Sequence, residues 1–266
     1  MKTKTPNAMK HISSLLFGAL LPMAVALTSC DSISEPDRLV PAEIDPQRAV
    51  LIEEFTGQQC TNCPDGHRAL QEILASLGDS VVPVSIHASA LAMNPPRGMK
   101  TEQGEEYYKA AGSPALPSAV VNMQTSPLQI PAWGSAINQI IMTPTPYTVK
   151  AAPTVNEADG TYDIKVAFSA GEDFEGKLLV WVLENDIVAY QLDNGVGISN
   201  YVHNHVFRVA APDTWGEDVT LKAHTPQTRT YSVPIQTAWD MDNVYVVAFL
   251  YNNDGVKQVT STAKHH

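Results

Sequence analysis

The stretch Ala49-Val50-Leu51-Ile52-Glu53-Glu54-Phe55-Thr56-Gly57-Gln58-Gln59-Cys60-Thr61-Asn62-Cys63-Pro64 decides how the rest of this 266-residue chain is read. Residues 49–56 are mostly apolar, the pattern of a strand buried on both faces. After a short loop come two cysteines with two residues between them. Apolar residues then recur at Ala69, Leu70, Ile73, Leu74 and Leu77, a 3.6-residue period that predicts a helix. Gly78 is placed to end that helix. Pro64 is tolerated in its first turn, where the missing N–H has no intrahelical partner. Strand, loop, CxxC and helix together present a redox dithiol. Cys60 is expected at the helix N-terminus as the more exposed sulfur. There, free N–H groups and the helix dipole draw a thiol from a pKa of about 8.5 toward about 7. Cys63, one turn inside, is close enough to close a disulfide. A zinc site needs two further ligands, and the third cysteine of the chain, Cys30, is needed elsewhere.

Lys2, Lys4 and Lys10 form a positive N-terminal region, followed by the 13-residue apolar stretch Leu15–Leu27. A bilayer takes about 20 residues to cross, so this stretch reads as a secretory signal rather than a membrane span. It ends in Leu27-Thr28-Ser29-Cys30, which resembles the bacterial lipobox. That resemblance implies cleavage before Cys30, lipidation of its sulfur and attachment to a membrane through the lipid. Residues 1–29 are therefore expected to be a signal peptide. Residues 30–48, with Pro36, Pro41 and Pro46 and few apolar side chains, read as a tether. Without residues 1–29 the chain keeps 14 basic against 28 acidic residues, a formal charge of −14. Such acidity argues against nucleic acid as a partner and against docking on anionic lipid by charge.

Residues 49–145 are expected to form one domain. Val81–His87 reads as a second strand, making a β-α-β unit with a right-handed crossover. An excursion over residues 88–114 contains a short helical piece near Glu102–Ala111. Pro117 then opens a strand within Ala115–Val121, and Trp133–Met142 is the last helix. This order resembles the thioredoxin fold. The resemblance implies Cys60 as nucleophile, Cys63 as resolving thiol, and Glu54 as a buried acid that moves the proton of Cys63. It also implies Pro117 as a cis-proline against the disulfide. Thr-Asn stands between the cysteines in place of the usual Gly-Pro, and Leu116 precedes the proline. The potential therefore does not transfer, since related dithiols span about −270 to −120 mV. A purely structural staple across so short a loop stabilises little, because the entropic benefit grows with loop length. His67 and His87 read as ordinary core or solvated histidines.

From residue 146 the pattern turns to alternation. Tyr162, Ile164, Val166 and Phe168 share one face, Val244–Tyr251 reads as a buried strand, and Asp159-Gly160 and Asp254-Gly255 are hairpin signals. About eight short strands over residues 146–266 predict an antiparallel β-sandwich. Within Tyr201-Val202-His203-Asn204-His205-Val206-Phe207-Arg208, His203 and His205 would share one strand face. Two ligands do not complete a metal site, so they read as packing residues. Trp215 and Trp239 read as core. Neither a metal nor a cofactor is expected.

The fold class expected is thus an α/β thioredoxin-like domain followed by an all-β sandwich. The lipobox, the acidic tether, the string Glu53–Pro64, the proline-led strand and the string Tyr201–Arg208 are similar to the 28-kilodalton outer-membrane lipoprotein family. That resemblance implies an outer-membrane or other envelope location, with adhesion or envelope roles. Two functions follow as expectations. One is thiol-disulfide exchange on the cysteines of exported proteins. The other is non-enzymatic surface binding or adhesion, with the thioredoxin-like half as scaffold, and fold alone does not choose between them.

Overall fold

The apolar run that opens the quoted stretch forms strand β1 (Val50–Thr56), buried along its whole length in a computed structural model that describes residues 47–263. The signal segment, Cys30 and the tether up to residue 46 lie outside the described residues. Helix α1 (Cys63–Leu77) and strand β2 (Val81–His87) follow, and β2 runs parallel to β1 from Val50↔Val81 to Thr56↔His87. Gly78 ends α1 with φ 54°, a conformation cheap only for glycine. Helix α2 (Glu102–Ala110) is capped by Thr101, whose Oγ1 accepts from Gly104 N at 3.0 Å. Strand β3 (Ser118–Val121) pairs antiparallel with the other edge of β1, and helix α3 (Ile130–Ile141) completes this half.

One expectation is corrected here. Cys60 does not open the helix. The chain first makes a tight turn, with Cys60 N donating to Gly57 O at 3.0 Å and Cys63 N to Cys60 O at 3.4 Å. The helix begins only at Cys63, which sits at its start rather than one turn inside.

The alternating segments form β4 (Tyr147–Asn156), β5 (Thr161–Ala170), β6 (Phe174–Glu184), β7 (Ile187–Asp193), β8 (Val196–His203), β9 (Val206–Ala211), β10 (Glu217–Leu221), β11 (Gln227–Pro234), β12 (Val244–Asn252) and β13 (Gly255–Ser261). Asp159-Gly160 joins β4 to β5 and Asp254-Gly255 joins β12 to β13, each glycine at positive φ. Among the described residues the α-helices all precede residue 142, and the chain is mostly β.

The strands make an eight-stranded sheet, a three-stranded sheet and a two-stranded one. The large sheet runs β13-β12-β6-β9-β2-β1-β3, with β10 continuing along the edge of β6 beyond β9. It therefore crosses residue 145: β9 joins β2 in parallel at Ser85↔Val206, with Ser85 N donating to His205 O at 2.7 Å. Alternation assigns each face. Val50 and Ile52 pack with Leu70 of α1 and with Trp133 and Ile137 of α3. Leu51, Phe55 and Val84 belong to the opposite core, which they share with Trp181, Phe207 and Phe249 from the second half and with Tyr107 of α2. The three-stranded sheet β11-β5-β4 lays Ile164, Val166 and Phe168 against Val180, Val182 and Val246 of the large sheet. The second half thus stacks sheet on sheet, but the larger of its sheets is completed by the first half.

Candidate active site

Cys60 and Cys63 form a disulfide, with Cα atoms 5.4 Å apart, at the point where β1 gives way to α1. Both are buried, Cys60 at 4% exposure and Cys63 at 0%. The expected accessible sulfur is covered by the hairpin of β7 and β8. Leu192 N donates to Gln58 O at 2.8 Å, and Asn194 N to Thr61 O at 3.0 Å. Gly195 N donates to Thr61 Oγ1 at 2.7 Å. Gln191, fully buried, directs its amide at the carbonyl oxygens of Gly57 (3.3 Å) and Cys60 (3.1 Å). Asp193 pairs with Arg68 of α1 at 3.2 Å. This hairpin was not among the expected elements, although Asn194-Gly195, both at positive φ, is a strong turn signal.

Glu54, on β1 before the cysteine loop, has no exposed surface. It shares its strand face with Val50 and Ile52 and so points beneath α1. Gly66 makes room there: a Cβ at that position would meet Glu54 Oε1 at 2.5 Å and Pro117 Cβ at 3.2 Å. The Leu116–Pro117 bond is cis, and Pro117 is buried against this turn of the helix. Ser85 Oγ donates to Glu54 Oε2 at 3.1 Å, but Oε1 has no hydrogen-bond partner. Loss of hydration outweighs the Ser85 bond and pushes the Glu54 carboxyl up to about 8. Its neighbour Glu53, on the opposite face of the sheet, is pushed up to about 8 by the same cause.

Glu54 opens on a cavity of about 80 Å³ lined also by His67, Ser85, His87, Tyr201 and His203. His67 of α1 bonds through Nε2 to Thr56 Oγ1 at 3.0 Å and through Nδ1 to Tyr201 Oη at 2.8 Å. Its Nε2 lies 3.7 Å from Glu54 Oε1. Burial holds the His67 ring neutral, down to about 3, and keeps Glu54 protonated, so this contact joins two uncharged groups rather than an ion pair. His87 and His203 stand with ring centres 5.3 Å apart, and neither nitrogen of the His87 ring has a hydrogen-bond partner. Burial lowers both, His203 to about 4.

His67 and His87 are therefore part of one buried polar group with Glu54, where the sequence analysis took them for unrelated residues. Nothing local marks them, because three separate elements bring them together. His203 and His205 do not share a strand face: β8 ends at His203, and His205 sits in the following turn at φ 59° with its Nδ1 against Tyr245 Oη at 3.0 Å. Among the described residues no group of three or more His, Cys, Asp or Glu side chains is arranged to hold a metal ion.

Comparison with known proteins adds a family and a fold. A family model described as outer membrane protein Omp28 matches residues 102–265. No curated protein matches the chain. Among solved structures, HBP35 of Porphyromonas gingivalis superposes with a TM-score of 0.66 at 19% identity, covering 84% of this chain and 79% of that one. The protein AGR_C_4864 from Agrobacterium tumefaciens gives 0.52 at 16% identity, covering 83% and 100%. A domain of the outer membrane lipoprotein Omp28 from Porphyromonas gingivalis gives 0.31 at 19% identity, covering 44% and 86%. At these identities the first two likenesses concern the fold alone.

Proposed function

The chain belongs to the Omp28 outer-membrane protein family and is an outer-membrane lipoprotein; from that premise we propose that Cys60 and Cys63 carry out thiol-disulfide exchange on exported proteins. In this reading residues 49–145 are the thioredoxin-like part, residues 146–266 are the β-rich part, and Cys30 carries the lipid. The observation that carries the reading is the Cys60–Cys63 disulfide at the start of α1, with a buried and protonated Glu54 packed under the same helix at Gly66. An isolated staple has no use for a buried carboxyl, which costs stability, whereas a dithiol has a proton to move.

The step is an exchange. A thiolate of the exported protein attacks Cys60 Sγ along the S–S axis. A bond forms from Cys60 to the substrate sulfur, the Cys60–Cys63 bond breaks, and its electron pair leaves on Cys63 Sγ. A second substrate thiolate then attacks the mixed disulfide, giving an oxidised substrate and a reduced dithiol. The reverse sequence reduces a substrate disulfide, and the potential sets the direction. Cys60 is the attacked sulfur, Cys63 the leaving and resolving one, and Pro117 packs against the helix turn that holds them.

A second reading has a specific observation behind it. The β7–β8 hairpin buries Cys60, as suits a structural disulfide in a binding or adhesion lipoprotein. One experiment separates the two. Cys63→Ser leaves Cys60 with nothing to resolve against, so it should accumulate mixed disulfides with envelope proteins in cells, while Cys60→Ser should not. If neither variant traps a partner and the wild-type disulfide persists in a glutathione redox buffer, the structural reading stands instead.

A further inference from the structure

The cavity onto which Glu54 opens contains more than exchange at two sulfurs requires. Glu54 has no exposed surface, and its one free oxygen faces His67 Nε2 at 3.7 Å. His67 Nδ1 bonds to Tyr201 Oη at 2.8 Å, and Tyr201, which also lines the cavity, is only partly buried. These groups line one path from the buried carboxyl toward Tyr201, with a 3.7 Å gap between Glu54 and His67 that a small shift of either side chain closes. It is assembled from three elements: Glu54 on β1, His67 on α1 and Tyr201 on β8. The last comes from the half of the chain that holds no cysteine. A buried acid that serves a sulfur once must regain its proton before it can serve again, and solvent does not touch it here.

We propose that His67 and Tyr201 are positioning residues that pass a proton between solvent and Glu54, so that strand β8 completes the redox site of the first half. The proposal rests on the exchange reading above and deepens it. When a thiolate attacks Cys60 and the disulfide opens, Cys63 Sγ leaves with the electron pair and takes the proton of Glu54. The carboxylate left behind draws the Nε2 proton of His67. In the same concerted shift the ring takes one at Nδ1 from the Tyr201 hydroxyl and water replaces it on the phenolic oxygen, so neither imidazolate nor phenolate forms. No charge remains on the imidazole, in keeping with burial that makes its cation unfavourable. When the disulfide re-forms, the proton of Cys63 returns along the same path in the opposite sense. A full cycle therefore restores the starting tautomer.

Other titratable groups face the path from each packed element. His87 on β2 and His203 on β8 line the cavity as neutral rings, and His205 lies before β9. Arg68 and Asp193 stand at the rim as a paired cation and anion. Thr56 Oγ1, 3.0 Å from His67 Nε2, accepts from the Nε2–H tautomer at rest, so the ring turns from Thr56 toward Glu54 for the transfer.

The test is reduction of the disulfide by glutathione and its re-formation by glutathione disulfide, followed over successive turnovers from pH 6 to 9 in H₂O and D₂O. Tyr201→Phe keeps the aromatic ring in place and removes only the hydroxyl, so the fold should hold by near-ultraviolet circular dichroism. Proton transfer by a positioned side chain contributes about 10²–10⁴-fold in general acid–base steps. Loss of its resupply should therefore slow turnover at pH 7 by at least about tenfold and change the pH profile and the solvent isotope effect. His67→Gln should do the same, and Tyr201→His should restore most of the rate. Folded Tyr201→Phe and His67→Gln proteins with the wild-type rate, profile and isotope effect would overturn the relay while leaving exchange intact. A wild-type disulfide that glutathione does not reduce at any pH, together with no trapped partner in Cys63→Ser, would overturn exchange itself and the relay with it.

Discussion

Glu54 shows how one side chain can set the pH response of the fold. A carboxyl raised from its ordinary range to about 8 by burial stays protonated in the folded chain while the unfolded chain ionises. The unfolded state then binds fewer protons, and stability falls as pH rises from about 5 to about 8, by at most about 1.4 kcal/mol per pH unit for each such carboxyl. Glu53 adds a second contribution of the same sign. The histidines act at the other end. His67, His203 and His205 are lowered to about 3, 4 and 4, so stability is lost as pH falls below about 6.5, where the unfolded chain takes up protons the folded one refuses. The two losses overlap between about pH 5 and 6.5, and the fold should be most stable where their opposing slopes cancel, near about pH 6. Glu54→Gln should match the wild type in urea unfolding at pH 5 and exceed it at pH 8, by roughly 1–3 kcal/mol. Equal urea midpoints for the two proteins at pH 8 would show that Glu54 titrates as an ordinary carboxyl.

At the scale of elements, the β7–β8 hairpin controls access to the disulfide. Its outer face carries Val188 and Val196, each 64% exposed, while its inner face is tied to the cysteine loop by backbone bonds and by Gln191. Removing the Gln191 amide withdraws its donations to the carbonyls of Gly57 and Cys60, where a buried group left short of partners costs about 1–3 kcal/mol. Because the tie holds the hairpin down, Gln191→Ala should raise the population in which it is lifted. Each 1.4 kcal/mol is about a tenfold change in that population. The rate at which dithiothreitol reduces Cys60–Cys63 should rise by about that factor. An unchanged reduction rate in a folded Gln191→Ala protein would mean that the thiol reaches Cys60 without moving the hairpin.

For the whole molecule, the large sheet and the core that contains Phe55, Val84, Trp181 and Phe249 make the two halves interdependent. A chain with one shared core should unfold in one transition. Heating followed by calorimetry and by far-ultraviolet circular dichroism should therefore give coincident midpoints, and residues 49–145 expressed alone should not fold, since the face of Leu51, Phe55 and Val84 would lose its cover. Two resolved transitions, or a folded fragment, would contradict this. At the same scale, the lipobox-like sequence predicts that palmitate labels the wild-type protein in cells and not Cys30→Ala. Equal labelling of both would exclude Cys30 as the anchor.

The amino-acid sequence by itself determined the local features of this protein. The apolar run 50–56, the 3.6-residue period after Pro64 and the alternation from Tyr162 to Phe168 set strand, helix and strand. The glycines at 78, 160 and 255 ended elements where positive φ was needed. A CxxC pair at the junction of strand and helix announced a disulfide. These are interactions among residues within a turn or two of one another, and periodicity records them. The tertiary structure alone decided the rest. Asn194-Gly195 announces a turn but not that the turn lies over Thr61, because docking depends on which surface the cysteine loop leaves uncovered. The joining of β2 to β9 rests on pairing at Ser85 and Val206, and a contact between residues so far apart leaves no periodic trace. His67, His87 and His203 each resemble a solitary core histidine in the sequence. They become one cavity with Glu54 only because helix, sheet and hairpin enclose the same space, and the chemistry of a buried group is set by what surrounds it.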